Sequence, residues 1–272
     1  MFKQVGYMLY SIRPSACLMV SLLVVAAYRP SMAEWRETTL LFSCAFFGSA
    51  YCFIINDLFD RSKDLLNNKL RPIATGELSV RSARFAAIIV ALVYLFCAWM
   101  MSELVLGLAI FSLVLFSIYS PINNHYGFLS NLLVGFCASG VLWGVAILKD
   151  FEAPLILLSG ALFFMIVFRE ILLDWLDMEG DKAAGKTSIP LQSSTRSTLL
   201  ILLINLGLAS AILLFSMIQQ PDLSGILKIG LLLSIWIPFF YLALKPSRER
   251  VLFNIRFSHV SFVLLMLAIV LR

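Results

Sequence analysis

Two short stretches of this chain carry carboxylates at the same spacing. The first is Asn56-Asp57-Leu58-Phe59-Asp60-Arg61-Ser62-Lys63-Asp64. The second is Asp174-Trp175-Leu176-Asp177-Met178-Glu179-Gly180-Asp181. Both read D-x-x-D-x-x-x-D, and each acid of the second lies 117 residues after its counterpart in the first. On a helix, positions i, i+3 and i+7 share one face, so each stretch predicts a stripe of three carboxylates. Glu170, four residues before Asp174, extends the second stripe. Like charges so placed repel one another. Apolar flanks make the charges costlier, and a helix C-terminus disfavours anions. Those penalties, met twice, call for a compensating cation. Carboxylate oxygens suit hard ions, and Mg²⁺ is held by one or two carboxylates together with substrate phosphates and water. The chemistry this pattern suits is the handling of a Mg²⁺–diphosphate. Solvated loop acids at a membrane surface are the plainer reading, but they have no reason to repeat a spacing. The loop pattern of an EF-hand calcium site is absent.

Basic residues follow each stretch. Asn68-Lys69-Leu70-Arg71-Pro72 comes after the first, and Gly185-Lys186-Thr187-Ser188-Ile189-Pro190 after the second. Arg71 and Lys186 are candidates for phosphate oxygens that the metal leaves free. A surplus of positive charge on one membrane side would account for the same residues without chemistry. Arg169 either serves the substrate or snorkels. Tyr119 either reaches the site or anchors its span at the interface. Gly76, Gly180 and Gly185 read as turn formers.

Elements long enough to position these groups come from the composition. Of 272 residues, 61% are hydrophobic and 14% charged, where globular chains average about 45–50% and about 25%. A bilayer-crossing helix needs about 20 apolar residues. That rule predicts about nine spans: Ile12–Ala27, Thr39–Ile55, Phe85–Met101, Leu104–Tyr119, Leu129–Leu148, Pro154–Leu173, Leu199–Ile218, Ile226–Leu244 and Phe257–Leu271. The runs are long and lack period-two alternation, so the expected class is an all-α polytopic membrane protein with one domain over 1–272. Lys3 and Arg13 precede the first span, which reads as an uncleaved helix. Nine spans put sixteen of the 21 basic residues on one side with both acidic loops, and five on the other. The positive-inside rule then makes those loops cytoplasmic. The net charge of +5 is weak evidence for nucleic acid, and none is expected as a partner. Five cysteines all lie in apolar runs and read as small hydrophobes.

In this arrangement the motifs resemble the UbiA superfamily of intramembrane prenyltransferases. Asn56 to Asp64 and Asn68 to Pro72 are similar to its first motif. Arg169-Glu170 through Asp174, Asp177, Asp181, Gly185 and Thr187 to Pro190 are similar to its second. Arg13-Pro14 matches an Arg-Pro near the start of the first helix. The resemblance implies a helical bundle around a central cavity with cytoplasmic cap loops. It implies Mg²⁺ between Asp57, Asp60, Asp64, Asp174, Asp177 and Asp181 and the diphosphate of an isoprenoid donor. It adds Asn56, Arg71, Lys186, Arg13, Tyr119 and Glu170 as substrate-binding candidates. Two departures stand out: Leu70 replaces a frequent proline, and Asn123-Asn124 stand where a lysine is common.

The expected reaction is ionisation of an allylic diphosphate and capture of the cation by a hydrophobic or aromatic, electron-rich acceptor, in a lipid setting that keeps water away. Phe53, Phe59, Phe168 and Trp175 lie close enough in sequence to shield such a cation, although core packing is the commoner use of each. A terpene cyclase, with no acceptor, has the same motifs. A cation-coupled transporter fits less well, because transporters place such charges near the membrane midplane.

Overall fold

The computed structural model describes residues 2–31, 33–67, 69–123, 126–219 and 224–271, and these form helices and connecting turns without strands. The chain makes two compact units, Met1–Asn124 and His125–Arg272.

The helices are of membrane type, as α6 (Val80–Met101) illustrates. One face is buried and carries small residues: Ala83, Ala86, Ala87, Val90, Cys97 and Ala98. The other exposes Phe85, Ile88, Leu92, Phe96 and Trp99. A water-soluble helix would invert this arrangement. In lipid, large apolar side chains can face outward, and small residues let helix backbones approach. Ser79 caps the helix by accepting a hydrogen bond from Ser82 N–H at 3.0 Å.

In the first unit, α1 (Phe2–Ile12) meets α2 (Pro14–Tyr28) at a bend of 42°. Pro14 opens α2, and Arg13 before it holds a left-handed φ of 54°. The span α3 (Trp35–Phe59) packs against α2, α6 and α7 (Glu103–Asn123). After α3 come two short helices, α4 (Arg61–Leu66) and α5 (Pro72–Thr75).

The second unit repeats this order. Here α8 (Gly127–Leu148) precedes the span α9 (Ala153–Leu176). Two short helices follow, α10 (Met178–Ala183) and α11 (Ile189–Gln192), and then α12 (Thr195–Gln219). The last spans are α13 (Ser224–Leu244) and α14 (Arg248–Val270). Pro238 lies inside α13, and its carbonyl accepts from Asn254 Nδ2 of α14 at 2.7 Å.

Seven of these helices are long and apolar enough to cross a membrane, or eight with the bent α1–α2 pair. The fourth expected span, Leu104–Tyr119, lies within α7, and the count among the described residues stays below the expected nine.

Candidate active site

Each carboxylate stripe sits where a span ends and a short helix begins. In the first unit α3 stops at Phe59, and Asp60 serves as its C-cap and as the N-cap of α4. In the second, Asp177 plays both parts between α9 and α10. The stripes thus cross a helix break, where the sequence pattern placed them on one continuous helix. The hydrogen-bond ladder carries the phase across. Asp60 N–H donates to Asn56 O and Asp64 N–H to Asp60 O, both at 2.8 Å. Asp177 N–H donates to Leu173 O at 3.0 Å and Asp181 N–H to Asp177 O at 2.8 Å. The loop beyond closes alike in both units: Lys69 N–H donates to Asp64 O at 2.7 Å, and Lys186 N–H to Asp181 O at 2.9 Å.

One basic side chain in each unit bridges the first and third acids. Arg71 Nη1 lies 2.7 Å from Asp57 Oδ1 and 2.9 Å from Asp64 Oδ2. Lys186 Nζ lies 2.9 Å from Asp174 Oδ1 and 3.3 Å from Asp181 Oδ2. Arg71 is set by an extended backbone (φ −87°, ψ 141°) just before Pro72. Gly185, at φ +70°, turns the chain so that Lys186 points back. By position along the loop Lys186 corresponds to Lys69, yet the bridging is done by Arg71, two residues later.

A second donor reaches the first acid of each stripe. Arg13 Nη2 donates to Asp57 Oδ1 at 2.6 Å, with its guanidinium 4.7 Å above the ring of Phe53. Asn131 Nδ2 donates to Asp174 Oδ2 at 3.0 Å.

Asp57, Asp60, Asp64, Asp174 and Asp181 are all buried. Asp177 is half-buried. Lys63 stands 3.9 Å from Asp60. Burial raises the Asp64 carboxyl to about 6, against the opposing pull of Arg71. The folded chain therefore holds that proton more tightly than the unfolded one. The stability this contributes is full below about pH 4 and is lost as the pH rises through about 6. At Lys186 burial alone would lower the ammonium, but Asp174 and Asp181 outweigh it and raise it above the ordinary lysine range.

Other predicted residues fall elsewhere. Glu170 pairs with Arg169 at 3.1 Å. Asn56 is half-buried and contributes its carbonyl to the helix end. The side chain of Tyr119, and all of Asn68 and Asn124, lie outside the described residues. Phe168 is buried edge-on against Phe239 and serves the core, while Phe59 is 47% exposed. Asn131 was not singled out in the sequence. Its only signal there is a polar side chain within an apolar span.

The first cluster suits a hard cation. Asp57 Oδ2 and Asp60 Oδ1 are buried and accept no hydrogen bond among the described residues. Leaving such oxygens unsatisfied is costly, and a metal ion or its waters would satisfy them. Among the described residues no three His, Cys, Asp or Glu side chains are grouped to hold an ion alone.

A model of the UbiA prenyltransferase family matches residues 17–264. The digeranylgeranylglyceryl phosphate synthase of Methanocaldococcus jannaschii is 27% identical over 190 residues, 68% of this chain and 67% of that protein. For the digeranylgeranylglyceryl phosphate synthases of Methanopyrus kandleri and Methanococcus vannielii the matched stretch spans 51% and 76% of their length. A solved digeranylgeranylglyceryl phosphate synthase superposes with a TM-score of 0.78 at 23% identity, covering 99% of this chain and 98% of that one. A UbiA homologue from Archaeoglobus fulgidus, bound to GPP and Mg²⁺, superposes with a TM-score of 0.74 at 21% identity, covering 97% and 99%. At these identities the likeness establishes the fold.

Proposed function

Because the chain belongs to the UbiA prenyltransferase family, and is thereby a polytopic membrane enzyme of prenyl transfer, we propose that it uses its carboxylate clusters to handle an isoprenoid diphosphate and passes the prenyl group to an electron-rich acceptor. The observation that carries this reading is the repeated cluster: three carboxylates, of which one basic side chain bridges the first and third. The reading takes residues 1–272 as one catalytic domain with its acidic loops on the cytoplasmic side.

The roles follow from charge. Mg²⁺ held by Asp57, Asp60, Asp64, Asp174, Asp177 and Asp181 would supply Lewis acidity to the departing diphosphate. Arg13, Arg71 and Lys186 already lie against those carboxylates. When a diphosphate enters, the same donors gain a second anion and can stabilise the charge that grows on its oxygens. The bond from the allylic carbon to the diphosphate oxygen breaks, and its electron pair leaves with the diphosphate. The acceptor atom bonds to that carbon and gives up its proton. Apolar spans keep water from intercepting the cation. The relatives' name favours a glyceryl phosphate hydroxyl over an aromatic carbon as the acceptor.

Mass spectrometry of products tests the reading directly. Purified protein would receive Mg²⁺ and allylic diphosphates, with prenylglyceryl phosphates or phenols as acceptors. The expected product is a prenylated acceptor, with diphosphate released only when Mg²⁺ is present. A hydrocarbon formed without acceptor would make the protein a cyclase. No Mg²⁺-dependent diphosphate release under any condition would remove the reading and favour a transporter.

A further inference from the structure

Asp174 is gripped at both oxygens. Lys186 takes Oδ1 at 2.9 Å, and Asn131 takes Oδ2 at 3.0 Å. An ionised carboxylate only accepts, so the Asn131 side chain must present its N–H₂ and not its carbonyl. Asn131 is 3% exposed, in the second turn of α8. Asparagine is a poor helix former, and a buried amide is costly without partners. An apolar residue of the same size would pack there with less penalty, so packing alone does not account for it.

A second observation concerns the same end of α8. Gly127, one turn earlier, presses on the loop that carries Lys186. A Cβ at Gly127 would collide with the carbonyl oxygen of Thr187 and stand 2.6 Å from the Cα of Ser188. Its N–H donates to Thr187 Oγ1 at 3.4 Å. One stretch of helix therefore fixes both the carboxylate and the loop whose lysine grips it.

The first unit supplies a parallel. There the helix before the span also sends a donor to the first acid, from Arg13 at the start of α2 to Asp57. The origin of the donor is alike, but Arg13 shares Asp57 Oδ1 with Arg71, whereas Asn131 takes the Asp174 oxygen that Lys186 leaves, and the charge differs too. Arg13 brings a positive charge to its cluster, whereas Asn131 holds Asp174 without neutralising it.

We propose that Asn131 is a positioning residue of the second cluster, orienting Asp174 for the cation and its diphosphate while leaving the carboxylate's charge intact. The proposal rests on the prenyl-transfer reading above. Asn131 acts through Asp174 and is not itself a catalytic residue.

The test uses the full chain in detergent, with Asn131→Leu, Asn131→Ser and Asn131→Gln. Thermal unfolding is followed without ligand and with Mg²⁺ plus a non-reactive prenyl thiolodiphosphate, and the Mg²⁺ dependence of turnover is measured. Asn131→Leu should melt close to wild type without ligand yet lose most of the ligand-linked gain. Its half-saturating Mg²⁺ should rise about tenfold or more, as when a partner that orients a metal ligand is removed. Asn131→Gln, which keeps the donor, should recover part of both. If Asn131→Leu fails to fold, Asn131→Ser carries the same comparison. A lower ligand-free melting point with the full ligand-linked gain and unchanged Mg²⁺ dependence would overturn the proposal and leave Asn131 a packing residue. Asp174→Asn separates the two claims. If it abolishes turnover while Asn131→Leu behaves as wild type, only the positioning role fails. If Asp174→Asn turns over normally, the prenyl-transfer reading fails with it.

Discussion

Asp57 Oδ1 accepts from two guanidiniums, and the two arrive by different routes. Arg71 comes from the loop just after the stripe, and Arg13 from a residue 44 positions earlier in the chain. Arg71 alone also touches Asp64. Its removal should therefore loosen the cluster and withdraw a phosphate donor together. We expect Arg71→Ala to lower kcat/KM for the donor by about 1.5–3 kcal/mol, the scale of one hydrogen bond to a charged group. Arg84, exposed in the first turns of α6, is the control, and Arg84→Ala should leave the kinetics near wild type. Equal losses in the two variants would return Arg71 to a surface charge. At this scale the sequence was informative wherever chemistry demands a local spacing. Asp57, Asp60 and Asp64 with Arg71, and Asp174, Asp177 and Asp181 with Lys186, each announce themselves within one short stretch. Asn131 does not, because it meets Asp174 across 43 residues and no local pattern records that contact.

The spans and their ends were legible for a different reason. Long apolar runs admit few structures in lipid, so α3, α6, α8, α9, α12, α13 and α14 all appear where hydropathy places them. The breaks at Asp60 and Asp177 were not legible. A carboxylate stripe keeps helical phase whether or not the helix bends beneath it, and the ladder bonds through Asp60 and Asp177 preserve that phase. The bend at Arg13 was hidden too, although Pro14 marks the spot. The side of the membrane is an element-scale claim and rests on the distribution of basic residues. Ser62 on α4 and Ala184 after α10 are exposed and test it. In a cysteine-free background, Ser62→Cys and Ala184→Cys should both resist an impermeant maleimide in intact cells and react once the membrane is opened. Labelling of either in intact cells would reverse the orientation.

Across the whole molecule, the two units build one device twice, with unequal charge. Each has a preceding helix with a donor, a span ending in acids, a short helix and a basic side chain folded back onto the first and third acids. The central claim is that both clusters serve the same transfer reaction, so that neither can work alone. Steady-state turnover of Asp60→Asn, Asp177→Asn and the double variant tests this most directly. Each substitution keeps size and removes a charge from a crowded stripe, so folding should persist. If the clusters act as a unit, each single variant should lose nearly all activity, and the double variant should be little worse than either. Independent losses that multiply in the double variant, or near-wild-type turnover of both singles at limiting Mg²⁺, would contradict the account.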